Sequence, residues 1–446
     1  MALTNEMTSL VQGLEDKLSA LSGKDLLNDR YYEGAQRLEH IGLAVPPELR
    51  RFETSANACR ITVDSVANRQ KLKTFYLPDS DEASAELRDG WDANNLDSES
   101  QLLSKEKLIL GRGFVSVGTN EEDKDHPLIR VESPREIAVD VDVRHRRMNA
   151  AARFYGDSVE PGRAEFATLY LPNQTLWLER GSGGWNVVDR DDHKLGRVPL
   201  VMFLNRRRLG RWNGVSEMAD VIPLVDAVAR TLTNLQLAGE THSVPQKYVL
   251  GMSKGDFVDK DGKPIPAWEA YFNAIWANAN KDAKVGQFAA SDLKNFHETT
   301  NHYMQLISGI TGLPVRYFGQ NSANPPAEGA LIADESRLIQ NVEAKNAEDG
   351  DSWGWVMGLY ERFRTGEWVN GNRIATEWYN PATPTQAQTA DAVTKMYAGG
   401  NGLLSLESAW DSLGWSEAQK KREWERRERE SRMSLTMLEK DVEQEL

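Results

Sequence analysis

Apolar residues fall three and four apart at the start of the chain, at Met7, Leu10, Val11, Leu14, Leu18 and Leu21, which is the period of an amphipathic helix. Ser22-Gly23 predicts the end of that helix, Tyr31-Tyr32-Glu33-Gly34 reads as a further helix end, and Val45-Pro46-Pro47 as an extended connector. Ile61, Val63, Val66 and Ala67 predict a second helix over about Asn57 to Gln70. A longer helix, from about Ala83 to Gly111, follows the polar patch Asp79 to Glu86.

The period then changes from helix to strand. Gly113 to Gly118 is rich in β-branched and aromatic residues, and from Leu128 to Asn205 apolar and polar residues alternate in short runs. Those runs are Ile129 to Val131, Ile137 to Val143, Arg153 to Tyr155, Ala167 to Leu171, Thr175 to Glu179 and Trp185 to Asp189. Turn clusters such as Pro172-Asn173 and Gly181-Ser182-Gly183-Gly184 separate them, so the segment predicts an antiparallel region inside an otherwise helical chain.

Helical spacing returns after Trp212-Asn213-Gly214, with Ser216 as N-cap and a seam of Met218, Val221, Val225, Val228, Leu232 and Leu235. Pro223 kinks this helix or marks its first turn. A partner helix from about Ser291 to Ile310 repeats the stepping at Leu293, Phe296, Thr300, Tyr303, Ile307 and Ile310. Two such seams suit helices packed at a shallow angle. Between them, Lys247 to Phe288 reads as a compact insertion: a strand at Tyr248-Val249-Leu250, a tight turn at Asp259-Lys260-Asp261-Gly262, and a short helix from Trp268 to Trp276.

The loop Gly319 to Gly329 holds no aliphatic side chain larger than alanine, so it has little to bury and should project. A helix of roughly 35 residues, about 50 Å long, follows from near Ala330. Its apolar face carries Leu331, Leu338, Val342, Trp353, Val356, Tyr360 and Phe363, while Gly350 and Gly354 favour a bend. After the turn Trp378 to Thr385 come a helix through Met396, a short one over Leu403 to Leu413, and a charged one over Gln419 to Arg432 that reads as a solvated face.

A chain of 446 residues at 40% hydrophobic and 27% charged suggests two or more structural regions. No apolar run of about 18 residues offers a membrane span, and the N-terminus lacks the pattern of a signal peptide, so cytoplasmic synthesis is expected. The net charge of −14 argues against gripping nucleic acid by general phosphate neutralisation, and it does not exclude a conduit along which DNA must slide without sticking. The single cysteine, Cys59, has no partner for an internal disulfide and reads as a small buried hydrophobe.

Enzyme motifs fail on spacing or context. His297 and His302 are five apart and do not share a helix face. Asp259-Lys260-Asp261-Gly262 lacks the remaining carboxylates of a calcium loop. Gly111-Arg112-Gly113 precedes a strand instead of opening a helix, and no Walker-type Gly-Lys-Ser/Thr occurs. Asp140 and Asp142 alternate along a strand and could point to one face, but no histidine or third acid of matching register accompanies them, and the 13 tryptophans are scattered as buried anchors. The sequence therefore implies no catalytic residue, metal or cofactor.

Taken in order, several segments resemble the portal proteins of tailed bacteriophages over nearly the whole chain. They are Tyr31-Tyr32-Glu33-Gly34, Ile61-Thr62-Val63-Asp64, Leu110-Gly111-Arg112-Gly113-Phe114, Ile129 to Asp142, Leu195 to Val201, Val221 to Ala227, Gly312-Leu313-Pro314 to Gly319, and Trp378 to Lys395. The likeness is to portals of long-tailed phages that infect actinobacteria. It implies an α+β, mainly helical fold with wing, stem, clip and crown regions and an antiparallel β region in the wing. Carried onto this chain, the wing takes residues 1–211, the stem helices 215–243 and 291–313, the clip 244–290 and the tunnel loop 314–329. The long wing helix and a following strand take 330–378 and the crown 379–446.

The resemblance further implies a homo-oligomeric ring, dodecameric in the virion, at one vertex of the capsid. Partners would be the terminase large subunit, a head-tail connector or adaptor, the major capsid protein, a scaffold protein and, transiently, double-stranded DNA, with no membrane. The location expected is the virion, after assembly in the host cytoplasm. Stem packing falls to Val221, Val225, Val228, Leu232, Leu293, Phe296, Tyr303 and Ile307. Partner docking at the clip falls to Lys254, Asp256, Asp259, Lys260, Asp261 and Lys263. The DNA-facing loop residues are Gln320, Asn321, Ser322, Asn324, Pro325, Pro326 and Glu328. The alternative is another phage head-tail ring or scaffold protein with no motor-docking role.

Overall fold

The computed structural model describes residues 3–36, 56–80, 82–156, 164–243, 247–251, 284–287, 293–320, 328–382, 386–415, 419–430 and 432. They fall into two compact units, Met1–Pro381 and Ala382–Leu446.

In the first unit, helix α1 spans Asn5–Glu33, capped by Thr4, whose side chain accepts the Met7 N–H at 3.3 Å. The stop predicted at Ser22-Gly23 is not used. The helix runs through Gly23 and ends where Gly34 takes a left-handed φ of 70°. Its second half is held by tertiary contacts: Asp25 makes a buried ion pair with Arg112 at 2.6 Å, and Tyr31 is buried. These outweigh the small helix-propensity cost of one glycine. Helix α2 (Ala58–Ala67) buries Cys59, Val63, Val66 and Ala67. The connector expected at Val45-Pro46-Pro47 lies outside the described residues.

Strand β1 (Leu72–Tyr76) was not legible in the pattern. The single helix expected from Ala83 to Gly111 is two, α3 (Ala85–Ala93) and α4 (Leu96–Leu110). The break sits at Asn95, whose φ of 53° is left-handed. Asn94 beside it donates to the carbonyls of Gly90 and Pro127 and accepts the Ile129 N–H at 2.8 Å, so the chain turns where asparagine side chains replace helix hydrogen bonds.

The antiparallel region is as the alternation predicts. Strands β2 (Arg112–Gly118), β3 (Leu128–Glu132), β4 (Ile137–Asp142), β5 (Arg147–Tyr155), β6 (Phe166–Tyr170), β7 (Thr175–Gly181), β8 (Gly184–Asp191) and β9 (Leu200–Leu204) form two sheets. One is a five-stranded meander in the order β4-β5-β6-β7-β8, the other three-stranded in the order β3-β2-β9, and all their pairings are antiparallel. Helix α1 lays Val11, Leu14 and Leu18 on the meander against Ala152, Phe154 and Leu169. The register shift beside Asp140 and Val141 is taken up by Asn149 of β5, which has no partner in β4, and Asn149 donates to Asp140 at 3.3 Å. Asp140 pairs with Lys17 at 2.9 Å and Asp142 caps the following turn, so both acids are structural.

Helix α5 spans Ile222–Ser243, with Pro223 in its first turn, where the missing N–H costs nothing. Ser216 is not its N-cap; its hydroxyl accepts the Met218 N–H at 3.2 Å in the turn before the helix. Strands β10 (Lys247–Leu250) and β11 (Lys284–Gln287) pair antiparallel. Helix α6 spans Lys294–Thr311, with Leu293 at its N-cap, and packs against α5. The turn at Asp259 to Gly262 and the helix from Trp268 to Trp276 lie outside the described residues.

Helix α7 runs unbroken from Glu328 to Thr365. Its glycines serve close approach. A Cβ at Gly350 would lie 2.4 Å from Thr376 Oγ1, and one at Gly354 would lie 2.5 Å from the Gly371 carbonyl oxygen. This lets the returning segment, with strand β12 (Ala375–Trp378) paired to β1, lie directly on the helix. Trp353, Val356, Met357 and Tyr360 of α7 join Phe75, Trp91, Val115 and Phe203 in the largest core.

The second unit holds α8 (Gln386–Tyr397), α9 (Leu406–Ser412) and helical residues 419–430. Trp410 stacks on Trp415 at 5.6 Å and meets Trp424 edge-on at 5.4 Å. Lys420 is buried and pairs with Asp411 at 2.5 Å. The charged helix is thus anchored on one side as well as solvated on the other.

Candidate stem and tunnel site

The seam residues of α5 and α6 divide into two classes. Val221 just before α5, Val225 and Val228 of α5 and Ile307 of α6 are buried. Leu232, Phe296 and Tyr303 are only half-buried, as is Leu293 at the N-cap. Ile310, placed in the seam by its spacing, is 51% exposed, and Leu306 is 40% exposed. The hairpin is therefore fixed in a core at one end and carries uncovered apolar surface both beside that core and farther along.

The fixed end is a core in which Val221, Val225, Ile307 and Leu313 meet Cys59 and Val63 of α2, Leu108 of α4, and Leu338 and Val342 of α7. Tyr31 at the end of α1 donates its hydroxyl to Asp226 of α5 at 2.9 Å. Burial, with Asp226 nearby, pushes the Cys59 thiol up to about 12, so it stays protonated and packs as an inert side chain.

The chain leaves α6 through Gly312, which is left-handed at φ 73°, while Ser308 donates to the Leu313 carbonyl at 2.6 Å. A single turn of 3-10 helix, Val315–Phe318, follows. Five side chains tie this turn to the first turns of α7. Arg316 pairs with Asp334 and Glu335, Arg69 donates to Glu335 at 3.0 Å and to the Tyr317 hydroxyl at 2.9 Å, and Tyr317 donates to Glu335 at 2.9 Å. Burial pulls the Glu335 carboxyl upward, but the hydrogen bonds from Tyr317 and Arg69 and the two guanidinium charges hold it below the usual carboxylate range. Burial and the Glu335 hydrogen bond raise Tyr317. Gln320 donates to the Asn301 carbonyl at 2.8 Å, and Arg337 to that of Gly309 at 3.2 Å. Both shoulders of the loop are thus pinned to α6.

A second anchor holds α7 deeper in the unit. Lys345 donates to Asn205 at 2.6 Å and pairs with Glu217 at 3.0 Å, while Lys107 pairs with Asp349. Burial lowers Lys345, and Glu217 opposes that; Glu217 in turn sits below the carboxylate range because Lys345 and Asn205 overcome its burial.

Of the loop residues picked from sequence, Gln320 is seen at the shoulder, and Glu328 opens α7. Asn321, Ser322, Asn324, Pro325 and Pro326 lie outside the described residues, as do Lys254, Asp256, Asp259, Lys260, Asp261 and Lys263. Sequence reasoning missed Arg69, Arg316, Tyr317 and Glu335, since a contact such as Arg69 to Glu335 joins residues 266 positions apart and no local pattern marks it. His297 and His302 are exposed, and among the described residues no group of three or more metal-ligating side chains converges. Among the same residues no helix is long and apolar enough to cross a membrane.

The described residues thus form a helix pair rooted in a mixed α+β body, with the long helix α7 beginning beside the root. The model of the family described as "Phage portal protein, SPP1 Gp6-like" matches residues 25–434, and the chain belongs to that family. It is 36% identical over 442 residues to the portal protein of Mycobacterium phage D29, covering 96% of this chain and 89% of that protein. With the portal protein of Mycobacterium phage L5 it shares 36% identity over 440 residues, covering 95% and 90%. Among solved structures it is similar to a chain of "Virion of native gene transfer agent (GTA) particle", with TM-score 0.47 and 15% identity over 83% of this chain and 93% of that one. A chain of "Neck of native GTA particle computed with C12 symmetry" gives TM-score 0.44 and 14% identity over 84% and 94%.

Proposed function

We propose that this chain forms a homo-oligomeric ring, dodecameric in the virion, that sits at one capsid vertex between head and tail and conducts DNA during packaging and ejection. In this reading residues 1–211 and 330–378 form the wing, α5 and α6 the stem, 244–290 the clip, 314–329 the tunnel loop and 379–446 the crown. The terminase motor docks at the clip during packaging and a head-tail connector replaces it; capsid and scaffold proteins meet the ring during assembly in the host cytoplasm. The protein's role is structural, with no chemistry of its own.

One observation carries the reading: the half-buried and exposed apolar positions Leu232, Phe296, Tyr303, Leu306 and Ile310 lie on a hairpin whose root is rigid. A single subunit leaves that surface in water; a ring of such hairpins covers it. Electron cryomicroscopy of the purified assembly tests this. The expected map has α5 and α6 around a central channel and residues 321–327 reaching toward its axis. A map with the loop on the outer surface overturns the assignment.

A further inference from the structure

We propose that the two arginine loops of the first unit form a docking site for an acidic, extended segment of another protein. The turn joining β4 to β5 and the connection from β9 toward α5 come from distant parts of the sequence, yet they meet around Trp212, where Arg146, Arg207, Arg208 and Arg211 line one concave surface. Arg147 and Arg197 line its continuation over a floor that includes Val198, Leu200 and Met202.

Arg206 beside this site pairs with Asp220 at 2.5 Å. Arg146, Arg147, Arg207, Arg208 and Arg211, by contrast, have no salt bridge or side-chain hydrogen bond among the described residues, and all five are exposed. In a chain of net charge −14, five exposed guanidinium groups without an acidic partner gather along this surface. Arg146 and Arg206 are both left-handed, at φ 50° and 51°. Arg197 is already arranged for stacking, its guanidinium 3.4 Å from the centre of the Trp355 ring.

Three features favour a carboxylate-bearing protein segment over nucleic acid. The tips of the two loops expose Val143, at 69%, and Leu209, at 86%, beside the arginines. Aliphatic anchors among arginines are a protein-recognition surface, whereas a phosphate backbone offers nothing for them to bury against. The far wall carries Glu348 and Asp351, both exposed, which repel a continuous line of phosphates but can accept N–H groups of a peptide. The surface is also concave with an apolar floor, so it can enclose a peptide, while a duplex reaches only the rim. All the cations are arginines, whose planar fork fits carboxylates in pairs.

The test uses the full chain and a short fluorescent peptide in which Asp and Glu alternate with Leu, with a duplex DNA of equal charge as competitor. The expected result is saturable peptide binding that weakens about tenfold or more in the Arg207→Glu, Arg208→Glu double variant. Binding should also weaken several-fold in Leu209→Ser, with the duplex competing poorly. Equal competition by the duplex assigns the surface to nucleic acid and overturns the proposal, as does unchanged binding by the variants. Ring formation is read in parallel by electron microscopy. If the double variant alone loses the ring, the face is a subunit contact and the proposal falls. Peptide binding that fails while rings form leaves the portal reading intact, and binding without rings overturns that reading alone.

Discussion

Arg69 in the turn after α2 donates to Glu335 near the start of α7 at 3.0 Å, and the same guanidinium reaches the Tyr317 hydroxyl at 2.9 Å. One side chain therefore joins the body, the turn that leaves α6 and the start of the long helix. Glu335→Gln removes the charge that two arginines share. A loss of about 1–3 kcal/mol is expected, since hydrogen bonds to charged groups are of that size, and denaturant unfolding measures it. An unchanged midpoint shows that the network does not hold the loop.

The same residue gives a pH dependence of known sign. Its folded pKa is held down, so its stabilising contribution is complete above the unfolded carboxylate value of about 4.3 and is lost as pH falls through the lower folded value. The stability gap between the wild type and Glu335→Gln should be constant near neutrality and close below that range. Thermal melts of both proteins across acid pH read the gap; one that widens on acidification contradicts the assignment.

Val228 and Leu232 sit one helical turn apart on α5 but differ in burial, Val228 being fully buried and Leu232 half-buried in the single chain. Val228→Asp should destabilise the subunit itself by about 3 kcal/mol or more, the effect of an unpaired buried charge. Leu232→Asp should leave the subunit folded and impair ring formation. Circular dichroism and mass photometry separate the two outcomes. A Leu232→Asp protein that assembles normally counts against a seam between subunits.

Gly354→Ala sets two effects against each other. Alanine adds about 1 kcal/mol of helix propensity, but its Cβ would lie 2.5 Å from the Gly371 carbonyl oxygen. Moving backbone aside costs about 1–3 kcal/mol, so a net loss of stability is expected. A stabilised variant would show that β12 and its approach can shift away from α7 freely.

Deletion of Asn321 to Pro326 should spare ring formation and reduce DNA packaging or retention. The segment from Gly319 to Gly329 has no Lys or Arg, so its contact with phosphates is weak and suits sliding. Nuclease-protected DNA per particle is the readout, and full packaging by the deletion variant removes the loop from the mechanism.

Periodicity determined much of this architecture. Alternation along Ile137 to Asp189 gave the meander because each strand there pairs with its neighbour in sequence, and three-four stepping placed α5, α6 and α7 because helical hydrogen bonds are local. The order of short segments along the chain carried the family. Tertiary structure decided the rest. Strand β1 finds β12 some 300 residues away, and α1 passes Gly23 because Asp25 and Tyr31 beyond it are held by Arg112 and Asp226. The α3 to α4 break likewise depends on Asn94 meeting β3. The clamp of Arg69, Arg316, Tyr317 and Glu335 and the meeting of the two arginine loops are also distant contacts. The side chains that make them are ordinary surface types, and nothing in their local sequence says which charge will face which. That choice is made only when packing of the cores fixes where each element ends.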